Sequence, residues 1–158
     1  MKRQSAAISV SILMAALALP AGQAAAQTMK SVAGTYTAVS VPAFGDNPRG
    51  MMVLTANGRY TIVVGAAKLA PIAAGARNKG TPAENKAVVE GSIAHYGTYT
   101  IDDKGKAITF NVEMSTFPNW DGKPQKRALK VEGDKLIYVV TAPSVGGPAN
   151  DVVWKRVK

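Results

Sequence analysis

The chain has 158 residues, no cysteine, one histidine and a formal net charge of +9. Without cysteine, disulfides, thiol catalysis and zinc–thiolate sites are excluded. A lone histidine makes any other metal centre unexpected, since zinc sites combine several His, Cys or carboxylate ligands.

The N-terminal segment reads as a leader rather than as part of a fold. Lys2 and Arg3 precede an apolar run from Ala6 to Leu19, Pro20 breaks it, and Ala24-Ala25-Ala26 follows. That is the layout of a secretory signal peptide, with cleavage expected after Ala26. The apolar run is shorter than the ~20 residues that span a bilayer. Residues 1–26 are therefore read as signal peptide and 27–158 as one domain, exported to the periplasm or secreted. Export removes nucleic acid as an expected partner. The basic residues are spread out and are densest at Lys126-Arg127-Lys130 and Lys155-Arg156-Lys158. Such a distribution keeps strand faces soluble and blunts sheet edges, and it also allows weak association with an anionic envelope surface.

From Ala33 onward, short alternating runs are separated by Gly, Asn and Asp signals, the rhythm of an antiparallel all-β protein. The first three strands are expected at Gly34 to Val41, Gly50 to Thr55 and Arg59 to Val64. Asn57-Gly58 suits a tight hairpin with positive φ angles between the second and third. The segment Gly65 to Gly80, small and broken by Pro71, reads as a loop or lid. Thr81, Pro82 and Glu84 then form a capping box, and the helix they start is expected to end at Gly97, with His95 in its last turn. Five further strands follow at 97–102, 107–115, 125–132, 135–141 and 151–157. In the fifth strand Ile108, Phe110, Val112 and Met114 alternate with Thr109, Asn111, Glu113 and Ser115, so the apolar set points inward and Glu113 outward. Eight strands suffice to close a barrel that holds side chains or one small ligand.

Several stretches together resemble the small lipocalin-like domain family of bacterial and fungal proteins. They are GTYTAVSV, NPRGMMVLTANGRY, TPAE, HYGTYTID and FPNW, in that order along nearly the whole domain. Tyr36 stands where family members often carry Trp in the first strand. The resemblance implies an eight-stranded antiparallel calycin-like barrel with one helix between the third and fourth strands. It also implies a small hydrophobic or amphipathic ligand, and it does not imply one reaction or any cofactor. By the same analogy, Arg156 would stack over Tyr36 to close one end.

The candidate ligand-binding residues are Tyr60, His95, Tyr99, Asn119, Trp120 and Arg127. His95 could cap a helix end, form a pocket wall, or shuttle protons with Tyr99 as its acid–base partner. Arg127 lies in phase with Leu129 and Val131, so it either holds an anionic head group or lays its stem on the core. Trp120, in the loop Phe117 to Gly122, either closes the core or grips a ligand. Three functions stay open: a binding protein for a small hydrophobic or amphipathic molecule, an isomerase- or cyclase-type enzyme using His95, and a solid barrel acting through its surface.

Overall fold

The computed structural model describes residues 26–158; the expected leader, up to Ala25, lies outside the described residues. Eight strands form one closed antiparallel barrel in which each strand pairs with its sequence neighbours and β1 closes on β8. They are β1 (Gly34–Ser40), β2 (Arg49–Leu54), β3 (Arg59–Gly65), β4 (Ser92–Ile101), β5 (Ala107–Ser115), β6 (Pro124–Glu132), β7 (Lys135–Val140) and β8 (Asn150–Arg156). A short helix α1 (Met29–Val32) precedes the barrel, and α2 (Pro82–Gly91) is inserted between β3 and β4. Full closure leaves no sheet edge to protect.

The up-and-down order sorts the connections into two groups. The short turns after β2, β4 and β6, together with α1, lie at one end. The longer connections, including α2, lie at the other, which is the mouth. Inward positions alternate along every strand, and the lower half of the interior is solid: Met52, Leu54, Ile108 and Leu136 are at most 2 % exposed.

α1 plugs the closed end. Tyr36 Oη donates to Val32 O at 2.6 Å and Tyr99 Oη donates to Thr55 O at 2.7 Å and Met29 O at 3.2 Å. Arg156 lies over the Tyr36 ring, 4.8 Å from its centroid, as the resemblance implies. It also donates to the carbonyls of Ala33 and Ser31, at the C-terminal end of α1. Those carbonyls would otherwise lack partners at the end of so short a helix.

Three local expectations are corrected. The capping box at Thr81 forms as expected, with Glu84 N–H donating to Thr81 and Thr81 N–H donating to Glu84. The helix ends at Gly91, not Gly97, and His95 lies in the middle of β4. The period-two alternation already begins at Ser92, and pairing of Ser92 to Thr98 with β3 outweighs the weak apolar face that would have continued the helix. Met114, expected inward, is 47 % exposed. A bulge at Glu113 sets Tyr96 opposite Met114 but Gly97 opposite Val112, which shifts the phase so that Ser115 is buried instead. Gly97 makes the bulge possible, because a Cβ there would collide with Asn111 O. At the β2–β3 hairpin only Gly58 has a positive φ, 84°, after a turn closed by Gly58 N–H to Thr55 O at 3.0 Å. Asn57 stays at negative φ and instead accepts a hydrogen bond from the Thr55 hydroxyl.

Candidate functional site

Inward side chains from consecutive strands meet between the solid closed end and the mouth. Tyr60 comes from β3, His95 from β4, Phe110 from β5, Arg127 from β6, Tyr138 from β7 and Trp154 from β8. All six are at most 5 % exposed. Tyr60 Oη lies 2.9 Å from His95 Nδ1, and the two rings meet edge to face at 5.4 Å. Phe110 packs against Tyr60 at 4.7 Å and against Tyr138 at 5.6 Å.

The loop between β5 and β6 brings in Trp120. Asp121 accepts a hydrogen bond from Ser115 N–H at 2.7 Å, and Ser115 Oγ accepts one from Phe117 N–H at 3.0 Å. These bonds lock the turn Pro118–Trp120 and stand the indole edge to face against His95 at 5.5 Å and Phe117 at 5.8 Å. Trp120 is half-buried, so it both closes the core and faces the cavity.

Arg127 lies inside an aromatic cage. Its guanidinium carbon is 4.8 Å from the Tyr138 ring, 5.4 Å from Phe110 and 5.7 Å from Trp120. Cation–π contacts of this kind contribute about 0.5–2 kcal/mol each. Among the described residues, Arg127 belongs to no ion pair. Glu113 points outward, as its alternation predicts, and makes a bidentate pair with Arg59 at 2.5 and 3.0 Å.

Burial sets the protonation of this layer. It pushes His95 down to about 3, helped by the charge of Arg127, so the imidazole is neutral at physiological pH. Burial pushes the Tyr60 and Tyr138 hydroxyls up, against the opposing effect of Arg127, so both remain protonated. Among the described residues of this layer Arg127 is the one cation, and it pairs with no carboxylate.

Above these groups is a cavity of about 50 Å³, lined by His95, Trp120, Arg127, Tyr138 and Trp154 and walled by aliphatic residues such as Ile62 and Val64. It shares Ala43, Phe44, Ile93 and Ser144 with an outer cleft of about 580 Å³, which runs beneath Val88, Val89 and Glu90 of α2. The barrel is thus filled at its closed end and hollow toward its mouth.

The structure brings four of the sequence candidates together: Tyr60, His95, Trp120 and Arg127. Tyr99 is held at the closed end by backbone carbonyls, apart from His95, whose partner is Tyr60 instead. Asn119 is exposed and lines neither the cavity nor the cleft. Sequence reasoning did not single out Phe110, Tyr138 or Trp154 as site residues. Their alternation with Ile108, Leu136 and Val152 marks them as inward, but period alone does not separate a cavity wall from core filling.

Comparison with known proteins fits this geometry. Residues 27–157 match the family model described as a lipocalin-like domain. A similar curated protein is the 4'-hydroxy-3'-methoxypropiophenone carrier protein of Aspergillus oryzae, 31 % identical over 72 residues that make up 42 % of this chain. The match spans 65 % of that carrier's length, a little under two thirds. With its closed eight-stranded barrel and a family match over nearly all the described residues, the chain belongs to the lipocalin-like domain family.

Proposed function

We propose that this protein is an exported carrier that binds one small, amphipathic, ring-bearing molecule in the mouth half of its barrel. The observation that carries this reading is the hollow itself: an apolar cavity with a few convergent polar groups, continuous with a larger cleft. Its size bounds the ligand. A cavity of about 150 Å³ takes a benzene, so the inner 50 Å³ accepts only one end of a molecule. The remainder would occupy the cleft under α2. Phe44 and Phe117 line that cleft and suit a flat ring there, and the relative named as a carrier of an aryl ketone supports the same class. The leader at 1–26 supports export.

The test is native mass spectrometry of the protein produced with its leader and recovered from the periplasm. A reproducible added mass that is lost on denaturation, and that extracts as a small ring compound, is the expected result. A clean apo mass, together with no heat of binding for any small aromatic compound, would count against the carrier reading.

The His95–Tyr60 pair favours a second reading, proton transfer on a bound substrate. It predicts that His95→Gln leaves ligand affinity within a few fold but stops turnover. The carrier reading predicts no turnover in either protein.

A further inference from the structure

We propose that the base of the inner cavity is a carboxylate-binding site, so that the ligand is an aromatic carboxylic acid held by Arg127 and Trp154. This rests on the carrier reading above and names the class of molecule carried.

Two residues that line the cavity carry buried donors whose shared partner is a single hydroxyl oxygen, that of Tyr138. The Arg127 guanidinium, 5 % exposed, is in no ion pair and, among the described residues, is in no hydrogen bond to a carboxylate or backbone carbonyl. Trp154 is fully buried, and among the described residues its Nε1–H has no acceptor at hydrogen-bond geometry. Both groups lie near the Tyr138 oxygen, close enough to favour its ionised form, but that single hydroxyl does not complete a bond with the indole. A buried donor without an acceptor and a buried cation without a counter-charge are each unfavourable, and structures rarely keep them without a use.

A carboxylate corrects both defects at once. It offers two oxygens with about four lone-pair sites, matches the planar guanidinium fork, and leaves a lone pair for the indole N–H. It also neutralises the only charge among the described residues of the layer. No neighbouring group competes for that role, since His95 from β4, Tyr60 from β3 and Tyr138 from β7 are all uncharged at pH 7. The aromatic cage of Phe110, Tyr138 and Trp120 fixes the guanidinium in place before the ligand arrives, which lowers the entropic cost of binding. The ligand's ring would then extend past Trp120 toward the cleft.

The experiment is calorimetric titration of the mature protein at pH 7 with 3-phenylpropanoate and with its neutral amide, which share one shape. Binding of the carboxylate at least tenfold tighter than the amide is expected. Arg127→Met should bring that ratio to about one. Trp154→Phe keeps a ring in place but removes the N–H, and should lower the ratio several-fold. Equal affinity for the two probes in the unmodified protein would overturn the carboxylate site while leaving the carrier reading intact. A preference that persists in Arg127→Met would likewise overturn it. If neither probe binds at millimolar concentration, and neutral aromatic ketones also fail, both readings fall together.

Discussion

The two ends of the barrel each contain an arginine over an aromatic ring, at the same distance. At the closed end Arg156 lies 4.8 Å from the Tyr36 ring and donates to the carbonyls of Ala33 and Ser31. Toward the mouth Arg127 lies 4.8 Å from the Tyr138 ring, is more deeply buried, and meets no carboxylate or carbonyl among the described residues. The difference separates structure from function. Arg156 finishes the hydrogen bonds of α1 and seals the barrel floor. Arg127 meets aromatic rings and the Tyr138 oxygen at the wall of the cavity. Tyrosines divide in the same way: Tyr36 and Tyr99 donate to backbone carbonyls at the floor, whereas Tyr60 faces His95 beside the cavity.

The sharpest way to break the comparison is to cut the floor. Tyr36 is 2 % exposed and bridges Val32 to Arg156. Tyr36→Ala removes a large buried ring and should lower stability by about 3–5 kcal/mol, read from urea unfolding. A loss under about 1 kcal/mol would show that α1 and the floor are dispensable, and that the anchor lies elsewhere.

Exchanging each arginine for methionine tests the contrast directly. Arg156→Met forfeits two charge-assisted bonds to carbonyls and should lose about 2–3 kcal/mol. Arg127→Met forfeits three ring contacts but also removes the desolvation cost of a buried cation, and the two offset each other to a loss under about 1 kcal/mol. Equal losses in the two variants would contradict the assignment of Arg127 as a group held ready for a ligand.

Most of the architecture is legible in the sequence because it rests on local signals. The period-two alternation places the strands, and the capping box at Thr81 starts α2 where expected. The errors concentrate on β4, where Ser92–Gly97 could continue a helix until long-range pairing with β3 decides otherwise. That one shift also moved His95 from a helix end to a cavity wall. Met114 was misplaced because a bulge depends on the partner strand, not on its own alternation. For the site, Arg127 in phase with apolar neighbours was a readable exception. Its aromatic cage was not readable, since Phe110, Trp120 and Tyr138 come from three separate segments.

Acid should distinguish the two halves as well. His95 has its folded pKa held near 3, below the ordinary 6.5 of the unfolded chain. The unfolded state therefore takes the proton first. The stability linked to neutral His95 is complete above about pH 6.5 and declines as pH falls toward 3, by up to about 1.4 kcal/mol per pH unit. Between pH 7 and pH 5 a loss of about 2 kcal/mol is expected, and His95→Gln should flatten that part of the profile. An unchanged slope in the variant would mean that the imidazole is not buried in the neutral form.

The smallest effect is expected at the rim. α2 has no buried residue, and its Val89 is 74 % exposed, so little beyond its own caps holds it over the cleft. Glu84 joins that cap to the preceding loop by accepting from Ala73 N–H at 2.8 Å as well as from Thr81. Thr81→Ala should weaken the helix by about 1 kcal/mol, visible as roughly fivefold faster hydrogen exchange of α2 amides. The barrel amides and the global unfolding midpoint should not change, because none of the core packing depends on α2. If the midpoint falls with the exchange, the helix is part of the cooperative barrel. If it does not, α2 is a separately opening cover, and a bound ligand should slow its exchange while leaving the closed end unaffected.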